Sequence, residues 1–173
     1  GLFSKDAFEL IEKSARQALV RLSFYRILFD VGEERGMMDW TEVESVLINF
    51  AEDRKVELVW DRSNTDLGRE APRVEMQLLL NLFHLAADCL YRGGVVRLEN
   101  LGNGSLDNLK IWAEGPHCDI SDEVEAGLRI DFPIEEVTVR NIVAYLAVSR
   151  LSALQKSLGV TNQSPEGIGF SIL

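Results

Sequence analysis

Apolar side chains near the start of the chain recur at alternating spacings of three and four, which is typical of a helix that packs along one face. This seam comprises Phe8, Ile11, Ala15, Ala18, Leu22, Tyr25 and Phe29. Because alanines occupy the middle of the seam, a partner helix can approach closely there, while the aromatic residues fill wider layers. The pattern predicts one long helix, from a cap at Ser4 to about Phe29, that belongs to a helical bundle.

The remaining pattern predicts a layered α/β unit. Helices are expected after Asp39 or Thr41, from Pro72 to Gly93, from Ser121 to Gly127 and from Val137 to Leu158. Strands are expected at residues 56–60, 95–101, 106–114 and 168–172, with a tight hairpin turn at Asn103-Gly104 between the two middle strands. This order predicts the α+β class, a sandwich with helices on one face of a mixed sheet. We expect residues 1–35 to form the bundle helix and residues 36–173 the α/β domain.

Composition narrows the class of function. The 173 residues are 46% hydrophobic, and the formal net charge of −10 opposes sustained contact with the phosphates of nucleic acid. No apolar run reaches the roughly 20 residues of a membrane span, and the first residues do not have the pattern of a signal peptide. We therefore expect a cytoplasmic protein without nucleic-acid or membrane partners. Cys89 and Cys118 are expected to be buried thiols rather than ligands of a metal.

Two segments resemble parts of histidine kinases. Residues 77–86 resemble the N-box helix of the kinase domain, and residues 164–172 resemble its final strand. The resemblance implies a Bergerat-type, kinase-like ATP-binding fold, with a remnant of the nucleotide pocket at Asn81 and Leu85. Leu85 stands where the kinase pattern has an asparagine that binds magnesium, and a leucine offers no oxygen to that cation.

The glycine-rich turns of the kinase pattern are also missing. Residues 112–118 hold one glycine and a rigid proline turn in place of the Asp-x-Gly-x-Gly motif that receives adenine. Glu135 and Glu136 stand where a second glycine box would surround the phosphates, and their charges repel phosphate. We therefore expect a degenerate domain that uses no nucleotide, no other cofactor and no metal.

A kinase-like scaffold with these losses is similar to the ChpT-type histidine phosphotransferases. Local similarity is found at residues 14–16, 21–26 and 86–88, at Phe29 and at the Gly93-Gly94 turn, and it extends over essentially the whole chain. The resemblance implies a homodimer whose helical hairpins form a four-helix bundle. It also implies a bacterial phosphorelay in which phosphoryl groups pass from the receiver of a hybrid histidine kinase, through a histidine, to response regulators without ATP. The phosphoacceptor histidine of this family lies on the first bundle helix, so we expect it upstream of Gly1.

Polar residues on the seam helix are candidates for binding receiver domains. The resemblance implies that this helix meets incoming receivers, and the candidates are Lys13, Ser14, Arg16, Gln17 and Arg21. The alternative is that these residues form only a solvated helix face. His84, among leucines on a helix, is expected to have a structural role or to line the remnant pocket, and His117, beside a proline, is expected in a surface loop.

Two other functions stay open on the sequence alone. A non-catalytic dimeric adaptor that binds a response regulator would use the same fold, and so would an atypical ATPase or kinase of the GHKL superfamily. Measurable affinity for ATP and magnesium would favour the kinase, whereas stoichiometric binding of a regulator without phosphoryl transfer would favour the adaptor.

Overall fold

The computed structural model describes residues 2–30, 36–60, 68–99 and 106–173. Its helices are α1 (Leu2–Leu28), α2 (Trp40–Arg54), α3 (Arg73–Asp88), α4 (Asp122–Gly127) and α5 (Ile142–Ala153), with a short 3-10 helix at Ile134–Glu136. Its strands are β1 (Met37–Asp39), β2 (Val56–Trp60), β3 (Glu70–Pro72), β4 (Gly94–Glu99), β5 (Lys110–Glu114), β6 (Leu158–Gln163) and β7 (Gly167–Ile172). The expected hairpin turn at Asn103-Gly104 lies outside the described residues.

Five strands form one mixed sheet in the order β2-β4-β5-β7-β6. β2 and β4 are parallel, with Val56 opposite Gly94, and the other neighbours in this sheet are antiparallel. α3 packs across β4, β5 and β7, where the strand residues Val96, Ile111 and Phe170 are buried. This arrangement confirms the predicted α+β sandwich with a mixed sheet. β1 and β3 form a separate antiparallel pair that the hydrophobic pattern did not predict.

Local hydrogen bonds set two helix starts where the sequence predicts them. Asp39 is the N-cap of α2, and its carboxylate accepts bonds from the backbone N–H of Thr41 at 2.8 Å and from the Thr41 hydroxyl at 2.5 Å. Ser121 caps α4 by accepting a bond from the N–H of Val124 at 3.3 Å. α1 instead begins at Leu2, so Ser4 lies inside the helix rather than at its cap.

The expected start of the last helix at Val137 was wrong. α5 begins at Ile142. The Asn141 side chain accepts a hydrogen bond from the N–H of Thr138 at 2.7 Å and donates one to the carbonyl of Glu136 at 3.3 Å. Such a local side-chain turn competes with the backbone bonds of a helix, so the segment before Ile142 stays irregular.

The expected end of that helix at Leu158 was also wrong. α5 ends at Ala153, and Leu158 is the first residue of β6, at the edge of the sheet. β6 pairs with β7 along its whole length, beginning with Leu158 opposite Ile172. Pairing with a strand formed later in the chain therefore decides the structure of this segment.

The ends of α3 and of the hairpin differ from the prediction as well. α3 ends at Asp88 rather than near Gly93, and a turn connects it to β4. The second hairpin strand begins at Lys110 rather than Leu106, because Leu106 and Leu109 close a turn through a backbone bond of 2.9 Å. The expected antiparallel pairing of the two strands is confirmed by the register of β4 and β5.

The last turns of α1 belong to the core of the α/β domain. Phe24 and Leu28 are completely buried, and the Phe24 ring stacks on Phe50 of α2 with ring centroids 3.7 Å apart. Residues 4–19 of α1 are exposed, so this part of the helix extends beyond the domain. The division between residues 35 and 36 stays a prediction. None of the helices in the described ranges combines the length and apolar character needed to cross a bilayer.

Candidate functional site

The seam on α1 is exposed along most of its length. Phe8, Ile11 and Leu22 are 71%, 63% and 66% exposed, and Ala15 and Ala18 are exposed as well. A continuous row of exposed apolar side chains is typical of a surface that binds another molecule. The assignment of these residues to a dimer bundle stays a prediction.

The base of the seam contacts the α/β domain instead of facing outward. Tyr25 is half-buried, and its ring stacks on Phe29 with centroids 5.6 Å apart. The Tyr25 hydroxyl lies 3.0 Å from Nε2 of His84 on α3. Burial raises the pKa of the Tyr25 hydroxyl above its ordinary value, so the group is neutral when it bonds to the imidazole. Tyr25, expected in the bundle, thus lies where the seam meets the domain.

Two candidate receiver-binding residues lie on the face of α1 that continues into the domain, and a third lies beside that face. Lys13, Gln17, Val20 and Phe24 follow one another at spacings of four, three and four, so they share one helix face. Val20 and Phe24 pack on the core, whereas Lys13 and Gln17 are exposed above it. Ser14 lies three residues before Gln17 and is also exposed. The exposed part of this face therefore forms a corner with the domain.

The two arginine candidates have partners within the chain. Arg16 Nη2 lies 2.9 Å from Glu12 Oε1, one helical turn earlier on α1. Arg21 donates from Nε to Asp53 Oδ2 at 2.8 Å and from Nη2 to Oδ1 at 3.3 Å. The Asp53 side chain is only 3% exposed, so Arg21 neutralises a nearly buried charge on α2. Arg21 thus joins α1 to α2, a contact that sequence spacing did not indicate.

His84 lies in a chain of polar contacts that joins three helices. It is 7% exposed, and its Nδ1 lies 3.0 Å from Asp88 Oδ2, close enough for an ion pair although the direction is poor for a hydrogen bond. Asp88 also pairs with Arg54 of α2. Burial opposes the charged carboxylate, but the contacts with His84 and Arg54 outweigh it and hold the pKa of Asp88 below its ordinary value. This position suits a structural role for His84.

His117 lies in the loop after β5 and is exposed. Its Nε2 lies 3.0 Å from Arg92 Nη1, and its ring lies beside Tyr91 with centroids 5.7 Å apart. The residue therefore occupies the predicted surface loop.

Side chains of the domain bind the carbonyl groups at the end of α1. Gln77 Nε2 of α3 donates to the carbonyl of Ile27 at 2.9 Å and to that of Asp30 at 2.7 Å. Arg150 Nη2 of α5 donates to the carbonyl of Leu28 at 2.5 Å. The last carbonyls of a helix have no partner within that helix, so these contacts supply bonds that α1 needs.

A cavity of about 830 Å³ lies beside α3, and Leu85 is one of the residues that line it. The assignment of this cavity as a remnant nucleotide pocket stays a prediction. Asn81 is instead completely buried below the surface. Its Nδ2 donates to the carbonyl of Val143 at 3.1 Å, and its Oδ1 accepts from Arg150 Nη1 at 2.6 Å. Only Leu85 of the expected pair thus faces the cavity, because the Asn81 amide is used by α5.

The residues around this cavity do not fit a nucleoside triphosphate with magnesium. Its three carboxylates, those of Asp88, Asp119 and Glu123, outnumber its two arginines, so the charged lining is net negative and would repel phosphates. Its arginines are paired already, Arg54 with Asp88 and Arg140 with Glu123 at 2.8 Å. Within the described ranges, no three His, Cys, Asp or Glu side chains form a group that would hold a metal ion. Cys89 and Cys118 are buried free thiols, as predicted.

Most of the sequence matches a known protein family. Residues 40–163 match the family described as "Histidine phosphotransferase C-terminal domain". The chain belongs to this histidine phosphotransferase family. "Protein phosphotransferase ChpT" from Brucella abortus (strain 2308) is 34% identical over 140 residues, which are 79% of this chain and 65% of that protein. The chain therefore spans slightly less than two thirds of the relative's length. The match confirms the predicted resemblance to ChpT-type phosphotransferases.

Solved structures show the same fold. The structure of a bacterial phosphotransferase superposes with a TM-score of 0.80 at 24% identity, covering 100% of this chain and 81% of that chain. The catalytic domain of histidine kinase ThkA superposes with a TM-score of 0.52 at 17% identity, covering 79% of this chain and 95% of that domain. The histidine phosphotransferase chain thus has a kinase-like architecture, as predicted.

The sequence shows Gln77 as part of a polar stripe with Asn81 and Asp88, whereas Arg150 was not identified from it. Gln77, together with Asn81 and His84, is polar at helical spacing within an apolar helix, which is a signal of a buried polar network. Arg150 gives a weaker signal, as the one charged residue of α5. Its partners lie 69 and 122 positions away in the chain, so no local pattern identifies them.

Proposed function

We propose that this chain is the receiver-facing part of a histidine phosphotransferase that relays phosphoryl groups between receiver domains without using ATP. The observation that carries the proposal is α1, which extends beyond a domain of this family with an apolar seam on one face and polar residues on another. The Brucella abortus relative is named as a protein phosphotransferase, and its similarity to this chain supports this activity. The cavity residues, which do not fit ATP, support a relay rather than a kinase.

The seam supports a homodimer in which two helices from each chain form a four-helix bundle. Covering Phe8, Ile11 and Leu22 would remove a large apolar surface from water, and this favours association. Ala15 and Ala18 let a partner backbone come close in the middle of the seam. The partner helices in this proposal are the upstream helix of the same chain and the two helices of a second copy.

The seam proposal is tested by a pair of matched variants of the complete protein. Ile11 and Leu10 are 63% and 65% exposed, but only Ile11 belongs to the seam. We expect Ile11→Asp to sediment as a monomer at concentrations where the parent protein is a dimer, while Leu10→Asp remains dimeric. Equal dissociation of both variants, or of neither, would contradict the assignment.

In the proposed reaction, a phosphoryl group leaves the aspartate of a hybrid kinase receiver and bonds to an imidazole nitrogen. It then passes from that nitrogen to the aspartate of a response regulator. We place the phosphoacceptor histidine upstream of Gly1, because His84 is buried in the domain and His117 lies in a domain loop. Such partners would place the protein in the cytoplasm. Transfer of this kind depends on accurate positioning, and the role of α1 is to supply a rigid stem.

The corner between α1 and the domain is the proposed receiver-binding surface. Lys13, Ser14 and Gln17 are exposed there, and a receiver seated on them would also touch the domain. Arg16 and Arg21 border this surface, each bound to an acidic residue of the chain. We expect the double variant Lys13→Ala, Gln17→Ala to raise KM for a receiver about tenfold without changing stability. Lys5→Ala, which removes an exposed lysine farther along α1, is the control and should leave KM unchanged.

The activity itself is tested with a receiver carrying a labelled phosphoryl group on its aspartate. We expect the complete protein to take up the label without added ATP and to deliver it to a second receiver. Stoichiometric receiver binding without label transfer would favour the adaptor function instead. Uptake of label directly from ATP would favour a kinase and would refute the relay.

A further inference from the structure

We infer that Gln77, Asn81 and Arg150 form a latch that fixes the angle between α1 and the α/β domain. We further infer that these three are positioning residues for phosphoryl transfer, a role that rests on the function proposed above. Gln77 and Asn81 come from α3, and Arg150 comes from α5. None of them needs to touch the phosphoryl group, because their effect on the reaction passes through α1.

The first part of the latch is the set of bonds to the end of α1. Ile27, Leu28 and Asp30 present carbonyl oxygens that accept bonds of 2.9, 2.5 and 2.7 Å from Gln77 and Arg150. These donors belong to two different helices of the domain. All three bonds are made together only when α1 leaves the domain at one angle. A positive guanidinium at the carbonyl end of a helix is also favoured by the helix dipole.

The second part of the latch holds Arg150 in place. The planar guanidinium of Arg150 donates from Nη1 to Asn81 Oδ1 at 2.6 Å while Nη2 binds the Leu28 carbonyl. Asn81 is completely buried and is itself oriented by its bond to the Val143 carbonyl. Water has no access to replace a broken bond at Asn81, so the penalty for losing the alignment is large. Asn81, which resembles the N-box asparagine, thus bonds to the arginine that binds the end of α1 and does not face the cavity.

The latch affects the reaction because the proposed receiver surface has one part on α1 and another part on the domain. Lys13 and Gln17 are the exposed continuation of the α1 face whose residues Val20 and Phe24 pack on the domain, and in the proposed surface a receiver touches both α1 and the domain. A change in the angle of α1 would separate the two halves of this surface and would displace the stem on which transfer takes place. Misplacement of reacting groups by about 1 Å is enough to cost up to a hundredfold in rate.

Spin-label distances in the complete protein test the angle directly. One spin label is attached at Glu9→Cys on α1 and the other at Asp131→Cys on the domain, and both positions are exposed. An excess of unlabelled protein is added so that the measured distances come from two labels within one protomer. Cys89 and Cys118 are buried, and burial raises the pKa of both thiols, so they do not compete for the label. We expect one narrow distance distribution for the parent and a distinctly broader one for Arg150→Leu. An unchanged width in a folded Arg150→Leu protein would overturn the latch.

Transfer kinetics separate positioning from simple stability. At a temperature well below that of unfolding, we expect Arg150→Leu to lower kcat/KM for transfer to a receiver about tenfold. Arg150→Lys should recover only part of this loss, because an ammonium group lacks the planar guanidinium that bonds to Asn81 and to the Leu28 carbonyl at the same time. Arg97→Leu, which removes an arginine paired with Glu114 on the sheet, is the control and should leave transfer unchanged. Normal transfer by Arg150→Leu at that temperature would overturn the positioning role.

Two further outcomes remain decisive. If Arg150→Leu does not fold, Gln77→Leu replaces it, because this variant removes the bonds to Ile27 and Asp30 and leaves the Asn81 pair intact. The same broadening and the same loss of transfer are expected, and their absence would contradict the latch.

If the parent protein transfers no label at all, the proposed function fails, while the distance distributions still decide the geometry.

Discussion

The Tyr25 hydroxyl lies 3.0 Å from Nε2 of His84, so the helix that carries the seam is bonded to the central helix of the domain. His84 continues this contact toward Asp88, and Asp88 pairs with Arg54. One row of side chains thus connects α1, α3 and α2 along the wall of the cavity.

Removing the Tyr25 hydroxyl tests the first contact in this row. We expect Tyr25→Phe to lower the free energy of unfolding by about 1 kcal/mol, since one hydrogen bond to a nearly buried partner is lost while the ring packing is kept. Urea unfolding followed by circular dichroism measures the change. Tyr91→Phe is the matched control, because Tyr91 is exposed, and it should change stability by less than half as much.

The lowered pKa of Asp88 predicts a pH dependence of stability. A carboxyl group whose pKa is lower in the folded than in the unfolded protein stabilises the fold above its ordinary pKa, here 3.8, and this contribution is lost as pH falls through the lowered value. We expect Asp88→Asn to be less stable than the parent at pH 6 and the difference to shrink below about pH 4. Asp131→Asn, at an exposed site, is the control. A difference that is constant from pH 6 to pH 3 would contradict the assignment.

Glu75 predicts the opposite dependence. Burial, assisted by the nearby charge of Asp107, raises the pKa of Glu75 above its ordinary value of 4.5. The charged form therefore destabilises the fold once pH rises through the raised value. We expect Glu75→Gln to be more stable than the parent at pH 7 and the advantage to disappear near pH 4. Chemical unfolding at both pH values measures this, with the exposed Glu70→Gln as control.

The Arg21–Asp53 pair predicts a coupling between α1 and α2. We expect a double-mutant cycle of Arg21→Ala and Asp53→Ala to give a coupling free energy of about 0.5–1 kcal/mol, because the guanidinium is well exposed while the carboxylate is nearly buried. Zero coupling would show that the contact does not join the helices. The affinity of Arg21→Ala for a receiver domain gives a second result. Weaker binding by a variant that is still folded would support a direct contact between Arg21 and the receiver.

The parts of the fold that depend on local pattern were predictable from the sequence. The spacing of the seam identified α1, and the Asp39 cap identified the start of α2. β6 was not predictable, because it exists only by pairing with β7, and β1 exists only by pairing with β3. The start of α5 was missed because the turn around Asn141 competes with a helix that the apolar pattern favours.

The candidate site was predictable to a similar extent. Helical periodicity separated the seam from the polar face that carries Lys13 and Gln17, and the structure leaves both exposed. The resemblance to kinases placed Asn81 at a pocket, whereas the structure directs it to Arg150. That partner lies 69 positions away, and the choice between the two orientations depends on how α5 packs on α3.

The exposed length of α1 has a mechanical consequence. From Val20, which packs on the core, to Ser4 the helix measures roughly 24 Å at 1.5 Å per residue. A tilt of roughly 10° at the core would move the far tip by about 4 Å, more than the length of a hydrogen bond. The helix is therefore a lever arm, because a small rotation where it joins the core becomes a displacement of several ångströms at its exposed end.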